Sequence, residues 1–216
     1  MNPLNQLIQN MLSDAFVSIQ TLPQCPDISL YLVDPVSMSR AFSLDEIRRI
    51  WQNTAYWAFC WASGQVLAQY ILDNPDLVKG KKILDFGSGS GVVAIAAMKA
   101  GAKQAIACDI DPDALISCVE NAKLNHVEIT LSDDLFAIKD DDIDLLIAAD
   151  VLYDRENLSF LDTFFNYADH VLLADSRIKD FSHPNYQHIQ QRESFTVPDM
   201  DELDEFRYVN LYTGIV

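Results

Sequence analysis

The chain has 216 residues, half of them hydrophobic, which is enough for one packed core with a small appendage and excludes a disordered protein. Thirty-two acidic residues against 15 Lys and Arg leave a formal charge of -17, which repels a phosphate backbone, disfavours nucleic acid as a substrate and welcomes a basic partner. No apolar run approaches the roughly 18 residues of a membrane span, and the polar, periodic start MNPLNQLIQNML is not a secretion signal.

The first eighty residues read as decoration on a core, plus one mechanical element. A helix is expected from Pro3 to Ile19, PDISLYLVD reads as a strand, and SLDE at Ser43 to Glu46 matches a capping box that opens a second helix. SGQVLAQYILD, Ser63 to Asp73, is the helix that precedes the sheet, stopped by Asn74 and Pro75. From residue 81 strands and helices alternate: KKILDF, then the helix GVVAIAAMKAG, then AIACD, then PDALISCVENAKLN with Pro112 in its first turn. VEITLS, the almost wholly apolar IDLLIAAD, an amphipathic helix ENLSFLDTFFNYAD and the buried strand HVLLAD follow. Such alternation means a parallel sheet. After Pro184 the pattern changes to a short helix at NYQHIQQ and two strand-like segments, ESFTVP and FRYVNLYTGIV, which suit an antiparallel hairpin at one sheet edge.

The expected architecture is therefore α/β, with a single domain over 1–216: an N-terminal helical and strand extension over 1–53, a core over 54–181, and edge strands over 182–216. The four cysteines form no CxxC pair and lie in apolar contexts, as expected of buried, reduced thiols in a cytoplasmic protein. The four histidines lack metal-ligand spacing with them, so no metal is expected.

The informative stretch is ILDFGSGSGVVAIAAMKAG, Ile83 to Gly101. A strand that breaks into alternating glycines and then a helix presents backbone N–H groups to a polar ligand. A P-loop is excluded because no Lys follows these glycines. The dinucleotide pattern fits only in part: Gly87 and Gly89 match, but the sixth position is Val92 and the third glycine, Gly91, comes one place early. Asp85, two residues before Gly87, weighs more. A carboxylate at ~4 Å from a phosphate is repelled by about 1 kcal/mol per charge pair in water and by several times that in a cleft, whereas it attracts an amine. S-adenosylmethionine (SAM), a nucleoside with an ammonium and a sulfonium but no phosphate, satisfies that charge; the competing reading of Asp85 is a cap on the following helix.

Asp109 ends the second strand, where a carboxylate accepts from both ribose hydroxyls, a contact that NAD shares. Asp111, before Pro112, reads as a helix-start residue. Asp133 and Asp134 follow the third strand, where one of them can meet an adenine amino group or simply face solvent. IDLLIAAD ends in Asp150-Val151-Leu152-Tyr153, and ligands of open α/β sheets bind beyond the carboxyl ends of the strands. Asp150 and Tyr153 are thus the expected catalytic residues, flanking the reactive end of the cofactor; Asp154 and Asn157 are better placed than Asp150 for capping the next helix.

These residues resemble the class I, seven-strand SAM-dependent methyltransferases and, within them, the protein lysine methyltransferases that act on the electron transfer flavoprotein beta subunit. The resemblance runs from Pro26 to Phe181 through YWAFCWASGQVLAQYILDNPDLVKGKKILDFGSGSG, ACDIDPDAL, ADVLYD and DSRIKDF. It implies a Rossmann-like, seven-stranded, mostly parallel sheet and a methyl transfer to a protein lysine. It also implies that Asp85, Gly87, Gly89 and Gly91 surround the methionyl part, that Asp109 binds ribose, that Trp61 packs along the cofactor, and that the Ala149 backbone meets it. The bare residues would have favoured a core pair for Trp57 and Trp61. Asp133 stands where the family has an amide, and residues 182–216 match only loosely. The acidic run PDMDELDEF meets a basic substrate or is a solvated face.

Other functions remain open on the residues alone: a methyltransferase acting on a small molecule, a non-catalytic adaptor, a nicotinamide oxidoreductase, and a nucleic-acid methyltransferase. The last is disfavoured by charge and by the absence of an Asn/Asp-Pro-Pro-aromatic turn at ADVLYD. The expected partner is a protein with a basic, lysine-bearing surface, without nucleic acid or membrane.

Overall fold

A computed structural model describes residues 2–139, 142–152, 155–178, 181–199 and 201–215. Helix α1 (Leu4–Met11) leads into an antiparallel pair, β1 (Val17–Thr21) and β2 (Ser29–Val33), followed by short α2 (Pro35–Met38), α3 (Leu44–Gln52) and α4 (Ala62–Asp73). The sheet elements are β3 (Lys82–Phe86), α5 (Val92–Lys99), β4 (Gln104–Cys108), α6 (Pro112–Leu124), β5 (Thr130–Ser132) and β6 (Leu145–Ala149). One turn of helix, α7 (Phe160–Thr163), precedes β7 (His170–Asp175), β8 (Tyr186–Glu193) and β9 (Tyr208–Ile215).

Among the described residues seven strands form the main sheet in the order β5-β4-β3-β6-β7-β9-β8. The first five run parallel, and β9 enters antiparallel between β7 and β8. The strand order reverses at β3, so the carboxyl ends of β3, β4 and β6 open on one crevice. One face of the sheet packs against α4 and α5 through Leu67, Ile71 and Ile95; the other packs Leu84, Leu146 and Leu173 against Leu161 and Phe164. The four cysteines are free and buried, and among the described residues no helix is long and apolar enough to cross a membrane.

Four expectations about elements need correction. The helix expected from Pro3 to Ile19 ends at Met11, because Val17 to Thr21 is an alternating, β-branched segment that pairs with β2. ENLSFLDTFFNYAD is not one helix: tight turns at Arg155–Ser159 and Phe164–Asn166 flank the single α-turn of α7. NYQHIQQ is not a helix but part of β8, an edge strand held by its ladder to β9, with a bulge between His188 and Gln190. ESFTVP contributes Glu193 to β8 and then a single bridge, Val197 to Cys60.

The N-terminal segment is more than decoration. Asn121 on α6 and Asn125, its C-cap one turn on, pair with the open edge of β2: Tyr31 N donates to Asn121 Oδ1 (2.7 Å), Ser29 N to Asn125 Oδ1 (3.2 Å), and Asn125 Nδ2 to Ser29 O (2.6 Å). Asn121 Nδ2 also donates to Ser90 O in the glycine turn, at 2.9 Å. The extension is thereby stitched to the crevice. The capping box of α3 forms as expected, with Ser43 and Glu46 bonded reciprocally.

Candidate active site

The glycine turn follows from three left-handed residues. Gly87, Gly89 and Gly91 have φ of +68°, +51° and +78°, a region that costs an L-residue about 1–2 kcal/mol. Space adds to this at two of them: a Cβ on Gly87 would lie 2.7 Å from Val151 Cγ1, and one on Gly91 would lie 3.2 Å from Cys118 Cα. At Gly89 a Cβ would meet only the Gly87 carbonyl, 4.0 Å away, so that face of the turn is open. The turn is tied to β4 by Gly87 N and Ser88 N, both donating to Cys108 O.

Asp85 is 2% exposed, and its Oδ2 accepts from Ala94 N, 3.0 Å away in the first turn of α5. Capping is therefore present. Burial, with the charge of Asp109 adding, lifts its carboxyl to about 7 against the one helix bond that lowers it. Asp109 sits at the end of β4 and accepts from Gly89 N (2.8 Å) and Asp111 N (3.0 Å); burial raises its pKa too. Asp111 is the N-cap of α6, accepting from Asp113 N, as expected. Asp133 and Asp134 are both exposed on the loop after β5, and Asp134 accepts from Phe136 N to cap a single tight turn.

Asp150 follows β6 with φ +51° and is held from three sides. Its N–H donates to Ala174 O on β7, at 2.9 Å. Oδ1 accepts from Ser63 Oγ (2.6 Å), Ser176 Oγ (3.0 Å) and Ser176 N (3.2 Å), while Oδ2 accepts from Ser63 N (3.0 Å). Ser63 is the second residue of α4, whose N-cap Trp61 provides no side-chain cap; the Asp150 carboxylate supplies it. Asp150 thus joins α4, β6 and β7, while Asn157 Nδ2 donates to Val151 O. Ala149, last in β6, lies in register with Ala174. Tyr153 falls outside the described residues.

Beside it lies a carboxylate that the sequence reading missed. Asp175, 2% exposed at the end of β7, accepts from Arg177 N (2.7 Å), Ile178 N (2.8 Å) and Leu152 N (3.3 Å). Burial, and secondarily the Asp150 charge, lift it to about 6. Ser63, Ser176 and Asp175 left one signal, each being a polar residue at the end of an apolar element. Trp61 stands at the front of α4, its Nε1 donating to Tyr56 O (3.1 Å). Its ring lies near those of Tyr56 and Phe59, with the Arg177 guanidinium 5.7 Å from its centroid. Trp57, by contrast, is a core residue, 1% exposed.

The arrangement brings Asp85, the glycine turn, Asp109, Ala149 and Asp150 to the carboxyl ends of adjacent strands. Among solved structures with this fold are the ribosomal protein L11 methylase of Lactobacillus delbrueckii subsp. bulgaricus (25% identity, TM-score 0.52, 71% of this chain and 78% of that one) and the magnesium protoporphyrin IX methyltransferase of Synechocystis with bound SAM (15%, TM-score 0.53, 82% and 86%). The family model for ribosomal protein L11 methyltransferase (PrmA) matches residues 65–154. The electron transfer flavoprotein beta subunit lysine methyltransferase of Rattus norvegicus is 35% identical over 188 residues, 83% of this chain and 72% of the rat protein. The human protein of that name is 36% identical over 171 residues; the match takes in 76% of this chain but 64% of the human protein, less than two thirds of its length. The chain belongs to the SAM-dependent methyltransferases, in the family of the electron transfer flavoprotein beta subunit lysine methyltransferases.

Proposed function

We propose that the chain methylates a lysine ε-amine on a basic protein surface, that of the electron transfer flavoprotein beta subunit or a similar protein. The observation that carries the reading is the Asp150 carboxylate, fixed by Ser63 and Ser176 next to the glycine turn.

The residues present fit SAM. The open face at Gly89 admits a ligand against the backbone, and the buried Asp85 carboxylate is a partner for an ammonium rather than a phosphate. Asp85, Gly87, Gly89 and Gly91 would hold the methionyl end, Asp109 the ribose, and Asp133 or Asp134 the adenine, with Trp61 and Ala149 alongside. When bound, SAM supplies an electrophilic methyl group on a sulfonium.

The chain's part is to present the amine. Deprotonating a lysine at pH 7 costs roughly 4–5 kcal/mol from its reference value near 10.4, and burial of the amine near other cations reduces that cost. Asp150 Oδ1 already takes three hydrogen bonds, whereas Oδ2 takes one from Ser63 N, so Oδ2 is the atom that accepts from the amine and aims its lone pair. Holding the reactants in line provides most of the remaining acceleration. Buried free thiols support a reducing, cytoplasmic location.

The test is incubation of the purified protein with radiolabelled SAM and a lysate of its own cell. One labelled protein band, lost with Asp150→Asn and mapped to lysine, is the expected result. Label in the small-molecule fraction alone overturns the reading in favour of a metabolite acceptor.

A further inference from the structure

Asn121 is buried on α6 between the N-terminal hairpin and the glycine turn, and every polar atom of its side-chain amide is bonded. Oδ1 accepts from Tyr31 N at 2.7 Å, while Nδ2 donates to Ser90 O at 2.9 Å and to Ser117 Oγ at 3.2 Å. The two backbone groups dictate that orientation, because an N–H needs an acceptor and a carbonyl a donor. Ser90 stands between Gly89 and Gly91, both at positive φ. The Ser90–Gly91 peptide is held on both sides, its oxygen by Asn121 and its N–H by Ser88 O at 2.7 Å. The preceding carbonyl, Gly89 O, accepts from Cys118 Sγ at 3.4 Å, so α6 grips two successive carbonyls of the turn. Glycine adopts either sign of φ, so Gly91 alone does not fix which way this peptide faces; the groups that hold it do.

We propose that Asn121 is a positioning residue for cofactor binding: it sets the Ser90–Gly91 peptide of the glycine turn and, through Tyr31 N, makes the hairpin of β1 and β2 part of the cofactor site. The amide is planar and rigid, so fixing its oxygen on β2 aims its nitrogen at the turn. A ligand that steadies the turn steadies the Tyr31 bond in return, because coupling between two sites is reciprocal. Asn125 is the comparison within the same molecule. It clasps Ser29 on the same edge of β2, and its remaining amide bond goes to Asn121 O, at 2.8 Å, rather than to the turn. This role holds for any methyl acceptor; it rests on the assignment of the glycine turn to SAM, and exchange at the turn itself tests that assignment separately.

The experiment is amide hydrogen exchange of the full chain, read by NMR with and without saturating S-adenosylhomocysteine, together with the dissociation constant of that ligand by calorimetry for wild type, Asn121→Asp and Asn125→Asp. In the wild type the protection of Tyr31 N–H is expected to rise about fivefold or more on binding, and that of Ser29 N–H to change little. Asn121→Asp keeps the acceptor for Tyr31 N but sets an oxygen against Ser90 O, and is expected to raise the dissociation constant about tenfold. Asn125→Asp makes the same change on the same edge and is expected to leave it near the wild-type value. No rise at Tyr31 while Gly89 and Gly91 N–H become protected overturns the proposal. So does an equal rise at Ser29, which would assign the effect to the stability of the whole hairpin, or an equal loss of affinity in the two variants. Should Asn121→Asp fail to fold, exchange in the wild type decides alone. An absence of protection at the turn's own amides would refute the assignment of the turn to the cofactor, and this role with it.

Discussion

Asp150 holds a left-handed backbone at φ +51°, a strain of order 1 kcal/mol that persists where the surroundings over-determine it. Here they do, through four hydrogen bonds from Ser63 and Ser176. Asp150→Ala is therefore a poor test of catalysis: it leaves the buried Ser63 hydroxyl and N–H without their acceptor, at roughly 1–3 kcal/mol for each unsatisfied group. Asp150→Asn keeps an acceptor and the shape; it is expected to lower kcat about 100-fold or more while shifting Tm by only a few degrees and leaving cofactor affinity within a few-fold. A variant that retains kcat would assign Asp150 to structure alone. Asp85 gives a pH prediction. Its folded value of about 7 lies above the ordinary 3.8, so its contribution to folding is fully present below pH 3.8 and is lost as pH rises through 7. An ammonium reverses the preference, because it favours the ionised carboxylate. Cofactor binding is thus expected to release a proton below pH 7, with the dissociation constant rising by up to tenfold per pH unit as pH falls from 7 towards 5.5 and flat above 7.5. Titration calorimetry in buffers of different ionisation enthalpy counts that proton, and absence of release would mean that Asp85 is not the ammonium's partner.

At the scale of elements, the glycine turn separates backbone strain from ligand access. Gly91→Ala meets Cys118 Cα at 3.2 Å and carries φ +78°, so it is expected to cost about 2–3 kcal/mol of stability, with weaker cofactor binding as a consequence. Gly89→Ala carries the strain but no clash, since its Cβ enters open space; about 1–2 kcal/mol of stability is expected, with a larger proportional loss of cofactor affinity. Thermal melts with and without S-adenosylhomocysteine distinguish the two, and equal ligand-induced shifts in both variants would contradict the assignment. The core elements were legible because their signals were redundant: apolar strands, Pro112 at a helix start, Asn74-Pro75 at a helix end and glycines between. Edge elements lacked that redundancy. Tyr186 to Glu193 has few apolar residues to set a period, and the backbone of β9 decides its state. Asp85, Asp109 and Asp150 could be placed at strand ends because strand ends are readable. Ser63, Ser176 and Asp175 meet only through the register of β6 with β7 and the docking of α4, which no local pattern encodes.

At the scale of the molecule, the net charge of -17 acts on encounter rather than on chemistry. The acidic surplus extends to the C-terminal edge, where Arg177, stacked 4.0 Å from the Phe206 centroid and paired with Glu202, ties the segment around Glu202 back to the end of β7. Thr196 donates to the same Glu202 carboxylate. Asp204, almost fully exposed beyond this tie, pairs with Arg207 at 3.6 Å, and because Asp199, Asp201, Glu202, Asp204 and Glu205 outweigh that one arginine, the edge stays negative. Such a field raises the association rate of a basic protein and is screened over a Debye length of about 10 Å at 0.1 M salt. For the proposed lysine methylation, kcat/KM towards a basic protein acceptor is expected to fall about tenfold or more between roughly 20 and 300 mM salt, because association rates steered by charge drop steeply with ionic strength. The same kcat/KM measured with a short neutral peptide carrying one lysine is expected to change by less than about twofold, since that peptide offers no charged surface to steer. Changing Asp204 and Glu205 together to Asn and Gln is expected to flatten the salt dependence for the protein acceptor. If protein and peptide respond alike, the acidic edge is a solvated face and recognition lies entirely within the crevice.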